Sequence, residues 1–285
     1  MITLGEVLKI CTESLVEVSD SPNLDCQTLL ADRLGQSRAW ILAHPDINLT
    51  QRDYKSFQDD IEQLKIGVPL PYVLGHWEFY GLDFSLTRDT LIPRPETELL
   101  VEFAVDWLDR HPEKRWAADI GTGSGCIAIT LAKNMPNLSM VATDISFPAL
   151  KVAWKNSSRH NVANQVKFVQ SDLLLPVNYR FDLICANLPY IPTKVLPTLK
   201  VSKGEPELAL NGGPQGVDFI ARFLESAPDK IAAGGTMLIE IERIQGQEVK
   251  RLAQRVFTGA EIIVNKDLSG FDRLVAIHLP EDASL

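Results

Sequence analysis

The sequence has no long apolar run, no basic amino-terminal segment and no closely spaced cysteine pair. It therefore predicts neither a membrane span nor a secretory signal. Its 4 cysteines are scattered at positions 11, 26, 126 and 185 without a Cys-x-x-Cys motif, so their spacing predicts no metal site. We expect these cysteines to be reduced, mostly buried thiols in a cytoplasmic protein that does not bind membranes.

An excess of positive charge is also absent. The 285 residues include 28 Lys and Arg against 37 Asp and Glu, for a net charge of −9, and residues 1–80 alone contain 6 basic and 12 acidic residues. A protein that holds nucleic acid through its phosphates needs a basic face, so this balance favours a protein partner over direct contact with nucleic acid. The length predicts one full-sized domain accompanied by a smaller one.

The first eighty residues have the pattern of a small helical domain. Apolar residues at helical spacing predict helices over 4–18, 22–35, 39–43 and 50–66, and no set of catalytic side chains lies among them. Bulky residues that alternate on both sides of Gly81 predict a β-hairpin next. We therefore divide the chain into a helical recognition domain (1–75), a hairpin linker (76–94) and a larger domain (95–285).

Strands and helices alternate in the larger domain, which is typical of a doubly wound α/β sheet. A helix begins at Pro95, and apolar segments predict strands over 116–120, 138–144, 166–170 and 181–186. Further along we expect helix 216–232, a turn at Gly234-Gly235, strand 236–241, helix 246–257 and a closing antiparallel pair near 261–264 and 274–279. Residues 193–214 have no regular pattern, which is typical of a loop that covers a substrate.

Three glycines follow the first strand of this domain. Gly121, Gly123 and Gly125 alternate with Thr122 and Ser124. The glycines let the backbone turn tightly and approach a ligand. Packing between strand and helix can also require glycine, and this is the alternative. A dinucleotide fingerprint would have its third glycine at position 126, where this chain has cysteine. The spacing favours S-adenosylmethionine over NAD.

Acidic residues follow the next two strands. Asp144 can accept both hydroxyls of a ribose, although a helix cap, in competition with Ser146, is the alternative. Asp172 is placed to accept an adenine amine, and Leu173 is placed to pack on the base. Arg94, held between two prolines, is expected near the same cleft.

The fourth strand of the sheet ends at Asn187 because Pro189 and Pro192 cannot extend the ladder of hydrogen bonds. The Asn187 amide oxygen and the carbonyl of Leu188, which Pro189 holds extended, can each accept one hydrogen of a planar NH2 group. Tyr190 adds a flat wall. An asparagine that caps a turn is the alternative for this segment alone.

These motifs resemble those of class I S-adenosylmethionine-dependent methyltransferases that act on planar nitrogen. That resemblance implies a seven-stranded sheet in the order 3-2-1-4-5-7-6. Further segments make the chain similar to the peptide chain release factor glutamine methyltransferases. The most specific of these segments is the block Ile-Pro-Arg-Pro-Glu-Thr-Glu. The segments lie at 72–75, 78–81, 91–98, 205–206, 209–210 and 245–246.

The resemblance implies N5-methylation of the glutamine in the Gly-Gly-Gln motif of class 1 release factors, which modulates translation termination. It implies S-adenosylmethionine as cofactor, S-adenosylhomocysteine as product, and a monomer whose helical domain helps to hold the factor. Residues 121–125, Asp144, Asp172, Leu173 and Asn187 would bind the cofactor. Residues 187–190 would carry the chemistry and, with Arg94, bind the substrate; no metal is implied.

Two positions depart from the family pattern. Leu188 replaces the first proline of Asn-Pro-Pro-Tyr, and the resulting Asn-Leu-Pro-Tyr also resembles the motif of rRNA adenine N6-dimethylases. An adenine-N6 methyltransferase acting on rRNA or DNA is therefore the alternative, and a non-catalytic adaptor is a second one. Glu242 stands where the family tends to have glycine, in a loop that we expect to lie remote from the acceptor.

Overall fold

A computed structural model describes residues 2–175 and 178–281 and contains two compact units, one ending at His76 and the other beginning at Trp77. No helix among these described residues is both long and apolar enough to cross a membrane.

The first unit consists of short helices around one apolar core. They are α1 (Leu4–Leu15), α2 (Pro22–Leu34), α3 (Arg38–Ala43), α4 (Gln51–Lys65) and α5 (Leu70–Leu74). Thr3 and Glu6 form a capping box at the start of α1, and the Thr50 hydroxyl accepts from the Asp53 amide at the start of α4. The four predicted helices are confirmed, although α1 ends earlier than expected. The sequence pattern does not predict the single-turn helix α5.

The prediction of reduced thiols is wrong for this unit. Cys11 of α1 and Cys26 of α2 form a disulfide, with their Cα atoms 6.0 Å apart. Both side chains are buried. Packing of α1 against α2 brings together two residues that no short sequence motif connects. Cys126 and Cys185 are free, and burial raises the pKa of both thiols.

The predicted hairpin is confirmed. Its strands are β1 (His76–Phe79) and β2 (Leu82–Ser85). The two turn residues, Tyr80 and Gly81, both have positive φ, at 51° and 73°, as expected for a tight turn between antiparallel strands.

The α/β elements that follow are α6 (Pro95–Arg110), β3 (Trp116–Ile120), α7 (Cys126–Asn134), β4 (Ser139–Asp144), α8 (Phe147–Arg159), β5 (Val166–Gln170), β6 (Phe181–Ala186), α9 (Asp218–Ser226), β7 (Ile231–Glu240), α10 (Gly246–Val256), β8 (Glu261–Lys266) and β9 (Asp272–His278).

The seven-stranded sheet has the order β5-β4-β3-β6-β7-β9-β8. Strands β3 to β7 run parallel, and β9 is antiparallel to both β7 and β8. Counted along the α/β unit, this is the predicted order 3-2-1-4-5-7-6, so the fold class is confirmed. Apolar clusters cover both faces of the sheet, and the carboxyl ends of the parallel strands meet at one edge.

One boundary prediction is wrong. Helix α9 ends at Ser226 instead of continuing to 232, and β7 begins at Ile231, before the predicted strand start at 236. Pro228 interrupts the helix, and Ile231 pairs with Phe181 of β6. The register between β6 and β7 then shifts, and regular pairing resumes at Thr236, so residues 232–235, with Gly234 at a φ of 64°, form an irregularity where the turn is predicted.

Candidate active site

A cavity of about 240 Å³ lies at the carboxyl edge of the parallel strands. Its walls bring together residues from four strand ends, from the segment before α6 and from the 193–214 loop. The predicted site residues that line it are Arg94, Gly121, Thr122, Gly123, Ser124, Asp144, Asp172, Leu173, Asn187, Leu188 and Pro189. Gly125 and Tyr190 do not line it.

The glycine loop meets two different demands. Gly121 and Gly123 have φ values of 74° and 56°, in the left-handed region that glycine adopts without strain. A Cβ at Gly121 would lie 3.3 Å from the Leu188 side chain, whereas a Cβ at Gly125 would lie 2.7 Å from Ile129 of α7. Gly125 is therefore required for packing between loop and helix, and the two earlier glycines shape the cavity wall.

Asp144 is held by backbone amides at the end of β4. Its Oδ2 accepts from the Gly123 amide and its Oδ1 from the Ser146 amide, both at 2.8 Å. The Ser146 hydroxyl accepts from the Ala149 amide and caps α8, so Asp144 is not the cap. Burial raises the pKa of Asp144 despite the amide contacts. Each carboxylate oxygen retains a lone pair for a ligand hydroxyl.

Asp172 has a partner that the sequence pattern does not predict. Its Oδ2 accepts from Arg222 Nη2 of α9 at 2.6 Å. Leu173 has a φ of 56°, an uncommon conformation for an apolar residue, and its side chain lies against the same wall. The carboxylate is thus shared between the cavity and α9.

The Asn187 side chain is oriented by a hydrogen bond that sequence reasoning missed. Its Nδ2 donates to the hydroxyl of Thr97 on α6 at 3.0 Å. Among the described residues, none donates to the Asn187 side-chain oxygen. Thr97 lies inside the Ile-Pro-Arg-Pro-Glu-Thr-Glu block that carries the family resemblance. That neighbourhood is the one sequence signal that pointed to it.

The loop after β7 is not remote from the acceptor motif, so that prediction is wrong. Gln245 Nε2 donates to the Tyr190 carbonyl at 2.9 Å and to the Gly216 carbonyl at 3.2 Å. Tyr190 is largely enclosed, and burial raises the pKa of its phenol. The loop therefore supports the backbone of the motif from behind.

Arg94 links two walls of the cavity. Its guanidinium donates to Glu205 Oε1, and the other Glu205 oxygen accepts from the Ile92 amide at 3.0 Å. The Glu205 side chain is only 4% exposed, so it is a buried anchor for the 193–214 loop, which contains three short 3-10 helices (Leu196–Thr198, Lys200–Lys203 and Glu207–Ala209). Three residues just after it line the cavity: Pro206, Leu208 and Ala209.

Two carboxyl groups are buried beneath this site. Asp119 of β3 accepts from the Thr122 hydroxyl at 2.6 Å and from the Ala128 amide at 3.2 Å, and burial raises its pKa to about 7. Glu240, the last residue of β7, is 1% exposed. Burial raises its pKa to about 7 as well, against the lowering effect of the Thr97 hydroxyl. Within the part of the chain that the structure describes, neither Glu240 oxygen has a partner in hydrogen-bonding geometry.

Comparison with known proteins identifies the family. Residues 6–75 match the family model of the PrmC N-terminal domain, and residues 96–199 match the methyltransferase small domain. A release factor glutamine methyltransferase of Moorella thermoacetica is 38% identical over 281 residues, covering 98% of each chain. One of Bacillus cereus is 36% identical over 277 residues, covering 95% of this chain and 97% of its own. The chain belongs to the release factor glutamine methyltransferase family.

The fold of this family member is also that of distant solved methyltransferases. The hMettl16 catalytic domain, solved in complex with MAT2A 3′UTR hairpin 6, superposes with a TM-score of 0.57 at 15% identity, covering 84% of this chain and 85% of that one. At that identity the likeness shows the fold alone.

Proposed function

We propose that this protein transfers a methyl group from S-adenosylmethionine to the side-chain nitrogen of the Gly-Gly-Gln glutamine in class 1 release factors, leaving S-adenosylhomocysteine. The observation that carries the proposal is the orientation of Asn187. Its NH2 group donates to Thr97, which leaves its oxygen to accept from a substrate NH2 group. Membership in the release factor glutamine methyltransferase family supports the choice of a glutamine over an adenine.

The residues of the cavity fit this cofactor. Asp144 would bind the ribose hydroxyls, residues 121–124 would approach the amino acid part, and Leu173 would pack on the adenine while Asp172 accepts its amine. When bound, S-adenosylmethionine supplies an electrophilic methyl group. The buried Glu205 anchor holds the loop residues Pro206, Leu208 and Ala209 against the cavity.

The chain's own contribution is to make an amide nitrogen nucleophilic and to position it. A carboxamide nitrogen is a poor nucleophile because its lone pair is delocalised into the carbonyl. The Asn187 oxygen and the Leu188 carbonyl together accept both N–H bonds, which favours the pyramidal nitrogen and holds it in line for attack. Pro189 keeps the Leu188 carbonyl turned outward. Once the new C–N bond has formed, the cationic nitrogen releases one proton to solvent, so no prior base is required.

Asn187→Ala tests this assignment. We expect binding of S-adenosylmethionine by calorimetry to be kept and turnover to fall by about 10²-fold, the scale of losing one preorganised polar contact. The assay is mass spectrometry of the Gly-Gly-Gln peptide after incubation with a purified release factor. Asn164→Ala, at an exposed asparagine, is the matched control and should behave as wild type.

Three results would contradict the proposal. A near wild-type rate for Asn187→Ala would remove Asn187 from the chemistry. Methylation of rRNA or DNA, with the release factor left unmodified, would favour the adenine alternative. Failure of the wild-type protein to bind S-adenosylmethionine would favour an adaptor.

The helical unit completes the proposal. We assign it to holding the release factor, because it contains no catalytic constellation and has an excess of acidic residues. We further assign the protein to the cytoplasm, where its substrate is found, as a monomer.

A further inference from the structure

In the structure the Asn187 NH2 group donates to the Thr97 hydroxyl, and this orientation lasts only while that hydroxyl acts as the acceptor. A hydroxyl can donate or accept, so Thr97 can bind either the NH2 group or the oxygen of the amide. Catalysis as proposed above needs the oxygen toward the substrate, since an NH2 group there would face the donors of the substrate amide. A further group must therefore bias the Thr97 hydroxyl.

Glu240 is placed to be that group. It lies at the end of β7, beside β6, whose next residue is Asn187, and it is buried with both oxygens unpartnered among residues 2–175 and 178–281. Thr97 is 2% exposed, and its hydroxyl lowers the pKa of Glu240 against the effect of burial, although the two groups are not in hydrogen-bonding geometry in the structure. A buried carboxylate without other donors strongly favours a hydroxyl that donates to it.

The other charges near Glu240 do not compete for this role. Those that act on it are Arg94 and Glu96 at the start of α6, Arg273 of β9, Tyr190 after β6 and Cys126 of α7. Arg94 is engaged with Glu205, and Arg273 donates to Asp267 at 3.2 Å. Neither cation makes an ion pair with Glu240, so the carboxylate is not half of a salt bridge.

We propose that Glu240 and Thr97 are positioning residues that set the orientation of the Asn187 amide. This inference rests on the proposed function. When Glu240 is ionised, Thr97 donates to it and can only accept from Asn187, so the NH2 group turns to Thr97 and the oxygen to the substrate. When Glu240 is protonated, it can donate to Thr97, which then donates to the Asn187 oxygen, and the flipped amide presents its NH2 group to the substrate.

The inference predicts a limb in the pH profile of turnover. Because burial raises the pKa of Glu240 to about 7, kcat at saturating cofactor should fall about tenfold between about pH 8 and about pH 6. Glu240→Gln should abolish this limb and lower the plateau about twofold, since a neutral amide leaves both orientations populated. Glu248→Gln, at an exposed glutamate of α10, should keep the wild-type profile.

Two variants at Thr97 separate positioning from packing. Thr97→Ser keeps the hydroxyl and should keep both the plateau and the limb. Thr97→Val keeps the shape without the hydroxyl, and it should lower kcat at least about tenfold and abolish the limb, with KM for S-adenosylmethionine changed less than about threefold. Asp119 titrates in the same range, but it lies under the glycine loop, so its effect should appear in cofactor affinity.

The outcomes for this inference and for the proposed function are distinct. A limb that survives in Glu240→Gln, or a Thr97→Val enzyme as active as Thr97→Ser, would overturn the positioning role. If the wild-type protein methylates no release factor, the proposed function fails instead. The side-chain amide signal of Asn187, assigned in ¹⁵N-asparagine-labelled protein by its loss in Asn187→Ala, then decides. It should shift with a midpoint near about pH 7 in wild type and not in Glu240→Gln; equal behaviour in both refutes the inference.

Discussion

Replacing Glu240 with glutamine should change how the stability of the α/β unit depends on pH. The folded-state pKa of Glu240 is raised from its ordinary value of 4.5 to about 7, mainly because the group is buried. Between those two values the folded chain retains a proton that the unfolded chain has released. The free energy of unfolding therefore falls as the pH rises through this window and levels off above it.

The magnitude follows from the size of the shift. Between about pH 5 and about pH 8, the difference in proton binding at Glu240 lowers the free energy of unfolding by about 2 to 3 kcal/mol. For a unit of this size, that corresponds to roughly 5 to 10 °C in Tm. Asp119, whose pKa is raised from 3.8 to about 7, adds a loss of similar size, so Glu240→Gln should remove about half of the combined slope.

The assay is urea unfolding at a series of pH values, followed by tryptophan fluorescence. Four of the 5 tryptophans lie in the α/β unit, so the signal reports mainly on it. The quantity to compare is the change in unfolding free energy with pH, because a constant offset from the new amide cancels. Glu248→Gln should keep the wild-type slope. If Glu240→Gln also kept the wild-type slope, the buried carboxyl of Glu240 would not titrate in this pH range.

Two further predictions concern the cofactor cavity. Asp144→Asn should weaken S-adenosylmethionine binding by at least about tenfold in calorimetry, because an amide cannot accept two ribose hydroxyls as well as two backbone amides; unchanged affinity would exclude Asp144 from the ribose site. Arg94→Lys should release the 193–214 loop, because one ammonium cannot reproduce the guanidinium contact with buried Glu205. We expect the cofactor dissociation rate to rise about tenfold in stopped-flow fluorescence, with the exposed Arg110→Lys as control.

Much of the fold could be predicted from sequence because local signals agree with the tertiary structure. Periodic apolar residues, capping residues such as Thr50 and the glycine loop after β3 each identify an element, and the family resemblance supplies the strand order. The predictions fail where a distant partner decides. Ile231 becomes a strand residue because it pairs with Phe181, and Cys11 meets Cys26 only because two helices pack together.

The same distinction separates the site residues that sequence reasoning found from those it missed. Asp144 and Asn187 stand at strand ends, where the position alone suggests a ligand. Thr97 and Glu205 act through contacts that span 90 and 111 residues, with Asn187 and Arg94 respectively. Apart from the family block around Thr97, no local pattern distinguishes a threonine in the first turn of a helix, or a glutamate in a loop, from a surface residue.

The carboxyl groups at and beneath the cavity differ in how many hydrogen-bond partners the fold provides for them. This difference indicates which of them has a functional role. Asp144 accepts two backbone amides. Asp119 has one satisfied oxygen and one without a partner, and Glu240 has no partner in bonding geometry on either oxygen among the described residues. A buried acid that the fold leaves uncompensated destabilises the folded state, and such groups are concentrated at functional sites. The one that is least compensated lies beside the hydroxyl that holds Asn187, where its charge has an effect that a neutral side chain would not reproduce.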